Sequence, residues 1–468
     1  MGRRFFRDRS PANPPNEQAV IIKSFDETNL KTGHGYHASM LHQQRAHAVI
    51  PGAAHTYAKG DDQYPEGMAP VLTAGKGARV WDLDGNEYLE FGSGVRSVTL
   101  GHAYPSVCLA AQQAIWQGTN FTRPAAIELE AAEVFLDMIP GAEMVKFAKN
   151  GSDATTAAVK LARAVTGRDN IAVCRDQPFF SVDDWFIGTT DTSAGVPTCL
   201  SELTLPLAFN DIPQIEQLFA DRGRTLACVI LEAERVEKPD PAYLKRLREL
   251  CTQHGTLLVI DEIISGFRLH PAGAQTLHGI DADLSTFGKG MANGFSVAAL
   301  AGKRQFMERG GLQTAEEKVF LLSTTHGGET HCLAAAIETM REIKHQRVCD
   351  RLAEAGMMLA KLLNDAARAE GVIDQFRVIG HPSNLVFTTK DAAGQASQAF
   401  RTLFLQETIR RGILAPNLVV SYSHTDDEIR EAAARIAEVL PIYRRALEGG
   451  VEAVLEGRPV KPVFRKFN

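Results

Sequence analysis

The sequence predicts an α/β protein, in which a large domain with a doubly wound, mainly parallel sheet precedes a smaller α+β domain. Between about residues 106 and 335, short apolar runs without polar alternation alternate with helical stretches. After about residue 340, long helical patterns dominate. A hydrophobic fraction of 44% and a charged fraction of 23% are typical of a globular chain.

The apolar runs at 171–174, 228–231 and 257–260 predict strands that are covered on both faces. The stretch 241–254 lies between the last two runs and places apolar residues at helical spacing. A strand, a helix and a second strand in succession are typical of a parallel crossover. These segments therefore predict neighbouring parallel strands in the large domain.

Chain organisation predicts three parts, with boundaries near residues 105 and 335. Residues 1–105 contain a charged, proline-rich arm over 1–20, followed by a hairpin over 75–90 that turns at Asp84-Gly85-Asn86. A calcium loop starting at Asp82 is disfavoured, because Ser93 stands where such a loop needs its last glutamate. Residues 106–335 form the predicted large domain. Residues 336–468 form the small domain, which we expect the N-terminal strands to join, with helices over 350–368 and 426–447 and a strand over 384–388.

Charge and cysteine content exclude several classes of protein. The 468 residues carry 50 basic and 56 acidic side chains, so the net charge is 50 − 56 = −6, without a dense basic block. This balance disfavours a nucleic-acid surface. No run approaches the ~18 apolar residues of a membrane span. Seven scattered cysteines predict reduced thiols, without a disulfide framework or a zinc site, and with no targeting signal we expect a cytoplasmic protein.

The first candidate site is Asn150-Gly151-Ser152, which follows a strand-like run at 144–147 and opens a helical stretch. The free N–H groups and partial positive charge of a helix start can hold a phosphate. The alternative is structural, with Ser152 as an ordinary helix N-cap.

Two further candidates follow predicted strands. Asp261 comes directly after the run 257–260, where open α/β sheets face their ligands, and it could serve as an ion-pair partner, a metal ligand or a cofactor anchor. Metal binding is disfavoured, because no His or Cys stands beside Asp261 at ligand spacing. Lys289 lies between Gly288 and Gly290, at a spacing of 289 − 261 = 28 residues. A surface position is the default for a single lysine, but its flanking glycines and the spacing from Asp261 favour a functional role.

The chain resembles the class III, or fold-type I, pyridoxal-phosphate aminotransferases, and within them the glutamate-1-semialdehyde aminomutase group. The resemblance extends over about residues 48–445. It rests on several motifs in the family's order, among them FAKNGSDAT, LLVIDEIISGFR, STFGKGMANG and STTHGGETHCLAAA. It implies a fold-type I architecture and pyridoxal 5'-phosphate as the cofactor.

The resemblance also implies roles for individual residues. Lys289 would form the Schiff base with the cofactor and later carry a proton, while Asp261 would face the pyridine nitrogen. The remaining implied cofactor contacts are Ile263 and Phe179 on the two ring faces, Glu232 beside the ring, Asn150, Gly151 and Ser152 at the phosphate, and Thr325 from a second subunit. A composite site of this kind implies a homodimer.

Departures from the family pattern bear on substrate and reaction. The candidate substrate residues are Lys59, Arg96 and Glu329, and the segment 415–424 lacks the gating glutamate of the aminomutase. An aminomutase must retain its intermediate, so this loss favours an aminotransferase that exchanges an amine and a carbonyl on small polar metabolites. The alternatives are the 2,1-aminomutase itself and a non-catalytic regulatory module. The intact pair of Lys289 and Asp261 argues against the latter.

Overall fold

The computed structural model describes residues 35–467, so the predicted arm over 1–20 lies outside the described residues. Within the described part, the chain forms thirteen strands: β1 (Leu72–Lys76), β2 (Arg79–Asp82), β3 (Glu87–Glu90), β4 (Met144–Ala148), β5 (Asn170–Cys174), β6 (Thr204–Leu207), β7 (Leu226–Leu231), β8 (Leu257–Glu262), β9 (Leu284–Phe287), β10 (Ala298–Gly302), β11 (Phe376–Ile379), β12 (Val386–Thr389) and β13 (Ile413–Leu414).

Helical segments alternate with these strands. They are α1 (His37–His47), α2 (Ser93–Arg96), α3 (Pro105–Gln117), α4 (Ala126–Met138), α5 (Gly151–Thr166), α6 (Asp184–Ile187), α7 (Thr198–Ser201), α8 (Ile212–Arg222), α9 (Pro241–His254), α10 (Gly273–Leu277), α11 (Arg304–Met307), α12 (Thr330–His345), α13 (Val348–Ala369), α14 (Gln398–Arg410), α15 (Asp426–Ala437) and α16 (Leu440–Gly449). No helix in this part of the chain is long and apolar enough to cross a membrane.

The large sheet has seven strands in the order β4-β10-β9-β8-β7-β5-β6. Strand β10 runs antiparallel to both of its neighbours, while β9, β8, β7, β5 and β6 pair in parallel. Every residue of β7 and β8 is buried, because helices cover both faces of the sheet. The predicted apolar runs lie within β5, β7 and β8, and the predicted fold class is confirmed.

A second sheet joins distant parts of the chain, in the order β1-β2-β3-β13. Strands β2 and β3 form the predicted hairpin, in which Asp82 Oδ1 accepts the N–H groups of Asp84 at 3.0 Å and Asn86 at 2.8 Å. Strand β13 pairs in parallel with β3, with Ile413 opposite Leu89. The boundaries near residues 105 and 335 remain a prediction.

The C-terminal helical prediction is wrong in one respect. The stretch 426–447 is not one helix, because α15 ends at Ala437 and α16 begins at Leu440. Pro441 lies in the first turn of α16, where its missing N–H leaves no hydrogen bond unmade. The strand expected over 384–388 begins later, since Pro382–Asn384 form a 3₁₀ turn before β12.

Buried Arg268 links the segment after β8 to the C-terminal part of the chain. Its guanidinium donates to the carbonyl oxygens of Ser383 at 3.2 Å and Val420 at 3.0 Å, and to Thr99 Oγ1 at 3.2 Å. A buried guanidinium needs such acceptors, because it cannot lose its charge. Arg268 therefore fixes how the segments around residues 99, 383 and 420 meet.

We expect Gly167→Ala to lower the free energy of unfolding by about 1 kcal/mol, because Gly167 ends α5 with a φ of 65°, where a Cβ is disfavoured. Gly449→Ala is the matched control. Both positions have open space for a Cβ, but Gly449 lies in α16 without a positive φ. Thermal unfolding of both variants checks the expectation, and equal melting temperatures would contradict it.

Candidate active site

Three neighbouring parallel strands bring the central residues together. Strands β7, β8 and β9 are adjacent, and Asp261 of β8 lies opposite Thr286 of β9. Glu232 follows directly after β7, and Lys289 follows β9 after one intervening glycine. All three side chains therefore come from the carboxyl edge of the sheet, where open α/β sheets bind ligands.

Asp261 is a buried carboxylate that accepts hydrogen bonds through one of its two oxygens. It is 3% exposed, and its Oδ1 accepts the N–H of Ile263 at 3.0 Å and the hydroxyl of Thr286 at 2.9 Å. Burial, and then the negative charge of Glu232, raise the pKa of Asp261 to about 7. Both hydrogen bonds go to Oδ1, so Oδ2 is available to a cationic or N–H partner.

Lys289 is an amine whose charge is disfavoured by its surroundings. It is partly buried, and burial lowers its pKa to about 8. Glu232 and Asp261 oppose this shift, whereas the positive charges of Arg96 and Arg235 add to it. The lowered pKa favours the neutral amine, which is the form that attacks a carbonyl carbon.

Glu232 is held from two sides. The side-chain amide of Gln177 accepts the N–H of Glu232 at 2.8 Å and donates to its carbonyl oxygen at 2.6 Å. Glu232 Oε1 accepts from Arg235 at 2.9 Å, while Oε2 is buried without a hydrogen-bond partner. Sequence reasoning missed Arg235, although the Glu-x-x-Arg spacing that allows this pair was visible in the chain.

The structure contradicts the alternative interpretation of Ser152 as the N-cap of α5. The N-cap is Asn150, whose side chain accepts the N–H of Asp153 at 3.1 Å while the Asp153 carboxylate accepts the N–H of Asn150 at 3.2 Å. Ser152 lies inside the first turn, buried, and its Oγ accepts the N–H of Val182 at 3.1 Å. The first turn of α5 therefore retains unpaired N–H groups at a positive helix end.

Gly151 connects this helix start to the end of β8. A Cβ added to Gly151 would lie 3.0 Å from Ile263 Cδ1, so only glycine allows this approach without a shift. Because Ile263 also donates to Asp261, the structure brings Gly151, Ile263 and Asp261 into one group of contacts.

Phe179 and Thr325 are both exposed. The ring of Phe179 is 42% exposed and meets Phe186 edge-on, with centroids 5.8 Å apart. Thr325 accepts a hydrogen bond from the side chain of Asn120 at its carbonyl oxygen, at 3.0 Å. No hydrogen bond joins Thr325 to Asn150–Ser152 within the described chain, so its contribution from a second subunit remains a prediction.

Two of the three candidate substrate residues share a cavity. Lys59 and Arg96 both line a cavity of about 470 Å³, whose wall includes Pro416 and Asn417 of the segment that precedes α15. A volume of this order suits a small metabolite. The charge of Arg96 also lowers the pKa of Lys289, although Lys289 itself does not line the cavity.

Glu329 is engaged elsewhere. Its carboxylate pairs with Lys149 at 2.6 Å and with His326 at 2.9 Å, and it does not line the cavity. Glu329, His331 and Cys332 lie close enough for a metal ion. However, the amine of Lys149 also contacts Cys332 Sγ at 3.3 Å, and this positive charge opposes a cation there.

Comparison with known proteins gives consistent matches. A family model described as Aminotransferase class-III matches residues 62–440. The chain is 32% identical over 420 residues to a glutamate-1-semialdehyde 2,1-aminomutase of Desulfitobacterium hafniense, covering 85% of this chain and 96% of that protein.

Solved structures give the same picture. A transaminase with PLP bound superposes with a TM-score of 0.81 at 26% identity, covering 89% of this chain and 100% of that one. An omega-transaminase from Sphaerobacter thermophilus gives a TM-score of 0.80 at 26% identity, covering 88% and 100%.

We expect Glu232→Gln to lower the pKa of Lys289, because the negative charge of Glu232 raises it and Arg235 would lose its partner. The pKa of Asp261 should fall too, since Glu232 raises it as well. The pH dependence of Lys289 acylation in cofactor-free protein, followed by mass spectrometry, measures the first shift. Glu452→Gln, which removes an exposed carboxylate, is the control, and an upward shift in Glu232→Gln would contradict the expectation.

Proposed function

The chain belongs to the class III aminotransferase family of pyridoxal-phosphate enzymes, and we propose that it exchanges an amine and a carbonyl between two small polar metabolites. The observation that carries this proposal is the position of the Lys289 amine at the same sheet edge as the Asp261 carboxylate, each influencing the pKa of the other. This arrangement supplies a nucleophilic amine and an anionic anchor in one buried place.

Pyridoxal phosphate, when bound, supplies an aldehyde carbon that exchanges amino groups and a ring that withdraws electrons from the substrate. We assign Lys289 Nζ to hold that carbon and then to move the proton at the substrate's Cα. The free Oδ2 of Asp261 would hold the proton on the ring nitrogen, since Oδ1 already accepts two hydrogen bonds. A positive ring nitrogen would in turn favour the charged form of this buried carboxylate.

The remaining cofactor contacts follow from the same placement. The N–H groups at the start of α5, with Asn150, Gly151 and Ser152, would bind the phosphate. Ile263 and Phe179 would cover the two ring faces, and Glu232 would lie at the ring's edge. Thr325 would reach the phosphate of a second subunit in a cytoplasmic homodimer. Lys59, Arg96 and Glu329 remain the proposed substrate residues.

The aminomutase is the second candidate, favoured by the 32% identity with an enzyme of that name. An aminomutase must keep its intermediate bound, whereas a transferase releases one carbonyl product before the second substrate enters. The segment 415–424 carries no acidic side chain, and its residues Pro416 and Asn417 form part of the cavity wall. This absence of an acidic gate favours the transferase.

Holoenzyme mixed with a panel of amino donors should convert its bound cofactor to pyridoxamine phosphate, which is visible in the absorbance spectrum. Lys289→Ala should abolish this conversion and the borohydride-reduced adduct on the peptide that contains position 289, because no amine would remain there. An unchanged spectrum with every donor would count against the transferase. Formation of 5-aminolevulinate from glutamate 1-semialdehyde without a donor would establish the aminomutase instead.

Gly151→Ala should weaken retention of pyridoxal phosphate roughly 10- to 100-fold, because overpacking against Ile263 displaces the start of α5. Equilibrium dialysis of the cofactor measures this effect. Gly449→Ala, where a Cβ meets open space, should bind the cofactor as the unsubstituted protein does. Equal affinities in the two variants would remove Gly151 from the proposed phosphate site.

A further inference from the structure

The turn α2 holds four consecutive residues in a left-handed conformation. The φ angles of Ser93, Gly94, Val95 and Arg96 are 47°, 56°, 59° and 71°. This region costs a residue with a Cβ roughly 1 to 2 kcal/mol, and a β-branched residue such as Val95 rarely adopts it. Such strain persists only where surrounding contacts fix it, and it is concentrated at functional sites.

Contacts with Glu90, just before the turn, and with Val419, in the C-terminal part of the chain, fix this turn. The carboxylate of Glu90 accepts the N–H of Ser93 at 2.8 Å, and the Ser93 hydroxyl donates to the carbonyl oxygen of Val419 at 3.1 Å. The N–H of Arg96 closes the turn on the carbonyl oxygen of Gly92 at 3.0 Å. The left-handed path of the turn thus sets where the Arg96 side chain leaves the backbone.

Arg96 is a buried cation without a carboxylate of its own. It is 9% exposed, and its Nε donates to the neutral side chain of Asn384 at 2.7 Å. Among residues 35–467, no carboxylate forms a hydrogen bond or ion pair with it. Its pKa falls to about 10, through burial and the charge of Arg235, so the guanidinium stays positive at neutral pH. The charge of Glu232 acts on Arg96, but its carboxylate pairs with Arg235, through Oε1 at 2.9 Å, and forms no hydrogen bond or ion pair with Arg96.

Among the described residues that line the cavity, Arg96 is the only buried arginine or lysine. Lys59 lines it from an exposed turn, and the carboxylates of Glu90 and Asp61 are held by the N–H of Ser93 and by His47, respectively. A buried, charged side chain that faces a cavity and lacks an anionic partner is stabilised by an anionic ligand. Its planar donors suit a carboxylate group.

We propose that Arg96, presented by the left-handed turn Ser93–Arg96 and anchored by Asn384, binds a carboxylate group of the substrate. The substrates are then amino acids and oxo acids, and simple amines are disfavoured. This inference rests on the proposed function and specifies its substrate class. Arg235 is excluded from the same role because Glu232 neutralises it.

The test compares acid and amide forms of the same amino donor with holoenzyme: alanine with alaninamide, β-alanine with β-alaninamide, and 4-aminobutyrate with 4-aminobutanamide. Arg96→Met should reduce the preference for the acid form, measured as the ratio of the rate constants for acid and amide, roughly 10- to 100-fold. Arg377→Met, which removes an arginine that is 53% exposed on β11, should leave the preference intact.

Asn384→Asp provides a second variant that keeps Arg96 in place. The new carboxylate would lie beside Arg96 Nε in an isosteric side chain and would neutralise the guanidinium, so the preference for acids should fall in this variant too. An unchanged preference in both Arg96→Met and Asn384→Asp would overturn the assignment.

A binding measurement separates this inference from the proposed function. Calorimetric titration of holoenzyme with acetate, propionate, butyrate and glutarate should show at least one carboxylate that binds, with affinity reduced roughly 10- to 100-fold in Arg96→Met. If none binds, or if Arg96→Met binds equally well, the assignment to Arg96 is wrong. Binding without any donor-driven half-reaction would instead keep this assignment and refute the aminotransferase.

Discussion

The buried charges at the carboxyl edge of the large sheet depend on one another. Asp261 and Glu232 are carboxylates removed from water, and each needs positive charge nearby. Lys289 and Arg235 supply part of it, while burial of Lys289 and the positive charge of Arg235 disfavour the charged form of the lysine. A cofactor that brings a cationic ring nitrogen to Asp261 would relieve the like-charge repulsion between the two carboxylates. In the proposed site, the same buried charges would therefore set both the affinity for the cofactor and the reactivity of Lys289.

Much of the fold was predictable, because strands covered on both faces are apolar along their whole length. The apolar runs of β5, β7 and β8 predict these strands directly. Asp261 lies near the end of β8 and Lys289 follows β9, so both residues lie at the sheet edge that the strands predict. The break before α16 was missed, because the helical periodicity of 426–447 outweighed the one signal of a new first turn, Pro441.

The contacts that surround Arg96 could not be predicted from the sequence. Arg96 was identified as a candidate, but its anchor Asn384 lies 288 residues away. The left-handed path that presents it runs through Ser93 and Val95, which are not residues that favour such a turn. Arg235 was missed for a different reason. Its role depends on the loop after β7 folding its side chain back onto Glu232, which spacing alone allows but does not require.

The parallel pairing of β3 with β13 has a consequence for synthesis of the chain on the ribosome. Glu90 and Ile413 are separated by 413 − 90 = 323 residues, so the edge of β3 lacks its partner until most of the chain has been made. At about 5–20 residues per second, this interval lasts roughly 16 to 65 seconds. Throughout that time the nascent hairpin presents unpaired backbone groups, and a chaperone that shields it would raise the yield of native enzyme.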